Sequence, residues 1–213
     1  MTSRSLLHSL LDSVTYPHSV ETISYIQTHL SYVILTGQYA YKVKKPVNLG
    51  FQDFSSLAKR KYYCELECEL NKTLAPHLYL GVVPITGSET HPRIGGEGPV
   101  IEWAIKMHQF PESCLLTNVL QRGELGLETI DRLAAQAAHF HQRTPVSLEG
   151  VFGTPQFLHQ RVIVNFEQLR RLLSAPEDFA TIQTIETWAH NQFQKLLSHF
   201  SARKAQGFIR ACH

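Results

Sequence analysis

"YAYKVKKPVN", residues 39–48, reads as a strand that turns an ammonium group inward. Side chains alternate along a strand, so Tyr39, Tyr41 and Val43 line one face while Ala40, Lys42 and Lys44 line the other. Aromatic and β-branched residues suit such a segment; a lysine at a half-buried position does not, and it asks for a counter-charge. Working outward, "ETISYIQTH" and "SYVILTG" predict two preceding strands, with Gly37-Gln38 as the tight turn into the third. Pro46 stops that third strand. The loop "LGFQDF" follows, and Ser55 is placed to cap a helix, "SLAKRKYYCELECELNKTL", which Pro76 closes. Tyr62, Leu66, Leu70 and Leu74 recur every four residues and predict the buried stripe of this helix.

Two more strands are predicted at "LYLGVVPIT" and "VIEWAIKM", joined by "GSETHPRIGGEGP", which reads as a polar turn region. From residue 113 the pattern is helical: "ESCLLTNVLQRGEL", "LETIDRLAAQAAHFHQR", and two helices near 157–174 and 178–201. A short helix with Leu6, Leu7, Leu10 and Leu11 precedes the strands. The expectation is an α+β chain: an N-terminal helix in 1–20, five antiparallel strands with one helix in 21–110, and a helical part in 111–213.

The 213 residues are 43% apolar and 18% charged, with a formal net charge of +2. That is a globular composition, and the charge is too small for a nucleic-acid footprint. No apolar run approaches the roughly 20 residues of a membrane helix, and the start carries no continuous apolar segment with a cleavage site. Cys64, Cys68, Cys114 and Cys212 form no disulfide framework. The expected setting is cytoplasmic, with reduced thiols serving as small core side chains.

Five strands, one helix after the third, then helices is the layout of kinases. The stretches "YKVKKPVNLGFQDFS", "LNKTLAPHLYLGVVP", "VIEWAIKM" and the closing "GFIRACH" resemble the aminoglycoside-phosphotransferase-like kinase domain of bacterial proteins that also carry a P-loop ATPase domain. The resemblance covers most of residues 20–110 and the last few residues. It implies a protein-kinase-like two-lobed fold, with a five-stranded antiparallel N-lobe and a partial helical C-lobe, and it implies ATP and Mg²⁺ as cofactors. Lys42 then takes the place of the strand lysine that pairs the nucleotide phosphates and a helix glutamate. Lys44 and Lys45 read as solubilising neighbours. Glu65, Glu67 and Glu69 are the available carboxylates. Glu67 lies roughly 70° from the centre of the apolar stripe, and the family pattern, a glutamate three residues after the cysteine in "YCELECELN", also falls on Glu67. Arg60 and Lys61 read as surface partners for the remaining acids.

The same resemblance implies that "THLS", residues 28–31, covers the phosphates through backbone amides and the Thr28 or Ser31 hydroxyl, with His29 adding a hydrogen bond. It places the adenine against backbone groups near Met107 and His108. Phosphoryl transfer also needs an aspartate for the acceptor hydroxyl and ligands for Mg²⁺. In the family these follow a His-Gly-Asp segment, and His213 matches its first residue. The expectation is therefore a truncated chain: the ATP-binding half of a small-molecule phosphotransferase, inactive alone, its metal ligands not present and its C-terminal remainder separately encoded or lost. A non-catalytic nucleotide- or protein-binding module and a degenerate gene fragment are the alternatives. The expected partner is a nucleotide, with no nucleic acid and no membrane. No G-x-x-x-x-G-K-[ST], H-E-x-x-H, G-x-S-x-G or zinc-finger spacing occurs. His139 and His141 are split across their helix, whose apolar positions should be left uncovered without the missing half.

Overall fold

A computed structural model describes residues 4–50, 52–210 and 212, the side chain of Arg4 excepted. Among these residues the chain is mixed α+β: six strands form one antiparallel sheet, accompanied by six α-helices. Residues 1–126 and 127–213 form two compact units.

The first unit opens with α1 (Arg4–Ser9) and a 3-10 turn at Ser13–Thr15. Strands β1 (Ser24–Gln27), β2 (Ser31–Leu35) and β3 (Tyr39–Lys44) follow as the predicted meander. Helix α2 (Leu57–Lys72) comes next, then β4 (Tyr79–Gly87), β5 (Pro92–Ile94), β6 (Val100–His108) and the short α3 (Leu116–Gln121). The spatial order is β1-β2-β3-β6-β4-β5, so β3 and β6 sit at the centre. The sheet has six strands rather than five. The extra one, β5, lies in the segment read as turn. Three residues opening on proline carry no periodic signal, and β5 exists because Ile85, Thr86 and Gly87 of β4 offer it a partner edge.

Alternation along β3 works as the sequence dictates. Tyr41 and Val43 are buried with Ile34, Ile85, Ile94 and Ala104 under Leu6, Leu10 and Tyr16 of the N-terminal segment. Each fully buried aliphatic side chain contributes about 1.5–3 kcal/mol. The Tyr16 hydroxyl, buried here, donates to the Leu10 carbonyl at 2.6 Å, and Leu6, Leu10 and Tyr16 belong to the same core as the sheet. On the opposite face Ala40, Ile105 and Met107 pack with Cys64 and Cys68 of α2.

Helix α2 departs from its expected face. Tyr62, Leu70 and Leu74 are exposed, and the buried residues are Arg60, Cys64 and Cys68. The cap is Ser56, whose Oγ accepts from the Lys59 N–H at 3.2 Å, rather than Ser55, whose N–H bonds Asp53. The four cysteines are free thiols.

Gly87 ends β4 with φ +92°, and a Cβ there would lie 2.6 Å from the His91 carbonyl oxygen. Gly87→Ala therefore meets both a left-handed backbone and a backbone clash. It is expected to cost about 2 kcal/mol, read as a lower urea midpoint with an unchanged slope.

In the second unit, α4 (Leu127–Arg143) has no buried residue, and its Ile130 and Leu133 are each 42% exposed. Helices α5 (Pro155–Leu172) and α6 (Pro176–Ala205) pack on one another around Phe166 and Ile182. Residues 208–210 return to the loop after α4: Arg210 donates to the carbonyls of Gln142 and Thr144 at 3.1 and 2.7 Å. No helix among the described residues is long and apolar enough to cross a membrane.

Candidate functional site

The lysine that opened the question faces a carboxylate. Lys42 on β3 and Glu67 on α2 meet at 2.7 Å, Nζ to Oε1. Two local rules bring them together: strand alternation points Lys42 at the α2 face, and helix spacing sets Glu67 three residues beyond Cys64, roughly 60° around the axis from that buried thiol. Of the other acids, Glu65 is exposed and stands 3.7 Å from Lys61, and Glu69 is exposed.

Lys44 is not a solvating neighbour. Its Nζ donates to the second oxygen of Glu67, Oε2, at 2.7 Å, and its side chain is only 7% exposed against 28% for Lys42. The ammonium also lies 4.9 Å from the centroid of the Phe54 ring, a favourable cation–π distance. Two ammonium groups thus share one carboxylate. Burial pushes the Glu67 carboxyl up, but the hydrogen bonds and charges of Lys42 and Lys44 together outweigh it and hold the group below its ordinary value. The Cys64 thiol beside them is pushed up to about 12, chiefly by burial. It stays neutral and adds no negative charge.

A second ion pair, unforeseen in the sequence, ties α2 to β6. The Arg60 Nε–H donates to both oxygens of Glu102 at 3.0 and 2.8 Å, and its Nη1 donates to the carbonyls of Phe54 and Ser55. Arg60 is therefore no surface partner. An arginine at a helix position and a glutamate some forty residues later carry no local sign of each other.

The 28–31 turn is self-contained. The Thr28 N–H and hydroxyl both donate to the Ser31 carbonyl, at 2.9 and 3.1 Å, and the Thr28 oxygen accepts from the Ser31 N–H at 2.9 Å. Ser31 is buried on the α2 face opposite Lys44, and His29 is exposed at the tip. Lys45 fastens the turn: its Nζ donates to the Thr28 carbonyl and its N–H to the Leu30 carbonyl. At the far end of β6, Met107 is core. The His108 N–H donates to Leu78 at 2.9 Å and the Gln109 N–H to Gln38 at 3.1 Å, so both donors are occupied within the chain. The His108 ring lies 5.6 Å from Tyr39. His213 lies outside the described residues.

A hollow of about 690 Å³ lies away from these groups, between the N-terminal segment and β5, lined among others by His8, Asp12, Glu21, His91 and Arg93. None of the nucleotide-site candidates read from the sequence borders it. Among the described residues, no group of three or more His, Cys, Asp or Glu side chains is placed to hold a metal ion.

The chain is similar to uncharacterized proteins of Mycobacterium bovis and of two strains of Mycobacterium tuberculosis, each 33% identical over 117 residues. The alignment covers 55% of this chain and 22% of each relative, so the chain spans about a fifth of the relatives' length. No family model matches the chain, and no solved structure matches it.

Proposed function

We propose that this chain is the nucleotide-holding part of a small-molecule phosphotransferase, with the two-lobed architecture of the aminoglycoside-phosphotransferase-like kinases, and that it does not transfer phosphate by itself. The observation that carries the reading is the half-buried Lys42–Glu67 pair between the central strand β3 and α2. An ammonium fixed by a carboxylate and still reachable from solvent is suited to the oxygens of a nucleotide's phosphates. Bound ATP with Mg²⁺ would supply the phosphoryl group. Lys42 would contact the phosphates, and Glu67 would orient Lys42. No described residue is assigned to Mg²⁺, which binds chiefly through a nucleotide's phosphates, and no transfer step is assigned to Lys42 or Glu67.

A binding module without catalysis is the second reading. It is favoured by the internal commitment of the Thr28 hydroxyl and of the His108 and Gln109 N–H groups, which leaves Lys42 as the principal donor.

Titration with a fluorescent ATP analogue tests both. Lys42→Ala is expected to weaken binding at least tenfold, about 1.4 kcal/mol. Its melting temperature should stay close to that of the parent, because Lys44 still neutralises Glu67. Equal affinity in the two proteins removes the nucleotide role. Phosphate transfer by the isolated chain to any aminoglycoside or other hydroxyl acceptor would contradict both readings, since neither assigns it a transfer step.

A further inference from the structure

We infer that Lys44 is a positioning residue of this site: it retains the Glu67 carboxylate so that Lys42 can be handed over to a polyphosphate anion. The inference rests on the nucleotide reading above and adds a division of labour between the two lysines.

Each lysine holds its own oxygen of Glu67 at the same 2.7 Å, so the carboxylate keeps one donor when the other lysine turns away. Their surroundings differ. Lys44 is enclosed, with the Phe54 ring beside it, and cannot reach a ligand. Lys42 is the more open of the two and can.

Charge balance points the same way. Two ammonium groups against one carboxylate leave one positive charge unmatched. The neighbouring Arg60–Glu102 pair is balanced, and the Cys64 thiol is neutral. A half-enclosed site with surplus positive charge attracts an anion.

The second lysine also removes a conflict. A lone lysine facing a buried carboxylate is held there, because releasing it leaves an unpaired buried charge. With Lys44 in place, Lys42 can turn to a phosphate oxygen while Glu67 keeps a counter-ion. The ligand class that uses this arrangement is a compact anion of high charge, the di- or triphosphate of a nucleotide.

The test measures affinity for the fluorescent ATP analogue, and displacement of the analogue by inorganic triphosphate. It compares the parent chain with Lys42→Ala, Lys44→Met and the double variant Lys44→Met/Glu67→Gln. Lys44→Met is expected to bind about tenfold more weakly, because Glu67 then competes for Lys42. The double variant is expected to bind several-fold more tightly than Lys44→Met, since a neutral glutamine no longer retains Lys42, but to stay weaker than the parent, since it also orients Lys42 less firmly than the Glu67 carboxylate. Triphosphate should follow the same order.

Parent-like binding by Lys44→Met, with Lys42→Ala weakened, overturns the role of Lys44 and leaves the site standing. A double variant as weak as Lys44→Met makes Lys44 structural only, and also overturns it. Parent-like binding by Lys42→Ala overturns the nucleotide reading itself. If Lys44→Met does not fold, the double variant, whose buried groups are both neutral, decides alone: binding as weak as Lys42→Ala sinks the inference.

Discussion

Arg60→Ala lowers the unfolding free energy by about 3–5 kcal/mol. The size follows from what is left behind. Glu102 is 2% exposed and keeps only its own neighbour, the Trp103 N–H at 2.9 Å, as a donor. The carbonyls of Phe54 and Ser55 lose the guanidinium as well. Removing one member of a buried pair strands the other charge in a poor solvent for it, and that penalty is about 3–5 kcal/mol. Against a typical domain stability of about 5–15 kcal/mol, the variant stands near its unfolding threshold. Urea denaturation followed by circular dichroism measures it. Arg60→Met with Glu102→Leu, which fills the space with apolar atoms, should recover most of the loss, because two uncharged groups need no partner. A single variant within 1 kcal/mol of the parent would show that the pair is dispensable.

Glu67→Ala is the second large effect, about 3 kcal/mol at neutral pH. It strands two cations. Lys42 can turn toward solvent, but Lys44 is enclosed and retains only the face of Phe54. The pH dependence has a definite sign. The Glu67 carboxyl lies below its ordinary 4.5 in the folded chain, so the folded state favours its charged form. Its stabilisation is complete above about pH 4.5 and is lost as pH falls through the depressed folded value. The parent and Glu67→Ala should therefore differ fully at pH 7 and converge in acid. Denaturation curves at several pH values between 7 and 3 check this; a gap that widens in acid would contradict the assignment.

Both pairs lie on the contact face of α2, and that face shows where sequence reading works and where it stops. The alternation of "YAYKVK" placed every β3 side chain on its observed face, because a two-residue period needs no distant information. The selection of Glu67 among three acids agrees with the observed pair. The helix stripe was a different matter. Periodicity detects apolar side chains, and Tyr62, Leu70 and Leu74 advertised a face that is exposed. The face that meets the sheet is built from Arg60, Cys64, Glu67 and Cys68, two thiols and two charges, which a hydrophobic count scores as polar or weak. Arg60 finds Glu102 only once β6 is in place, so no local rule links them. Strand β5 was illegible for a related reason: three residues acquire extended pairing from β4, not from their own pattern.

The strand order β1-β2-β3-β6-β4-β5 carries a kinetic consequence. Residues 24–44 can zip into hairpins among themselves, and so can β4 with β5, each across a short turn. The central seam is another matter, since Val43 must find Ala104 across the whole intervening stretch. Closing so long a loop costs chain entropy before any contact rewards it. On sequence separation alone, the local hairpins are expected to pair before the β3–β6 seam, an order that pulsed hydrogen exchange during refolding checks. Helix α2 bridges that seam with one charge toward each piece, Glu67 toward β3 and Arg60 toward β6. The helix face that carries these ion pairs therefore spans the joint between the two most distant segments of the sheet.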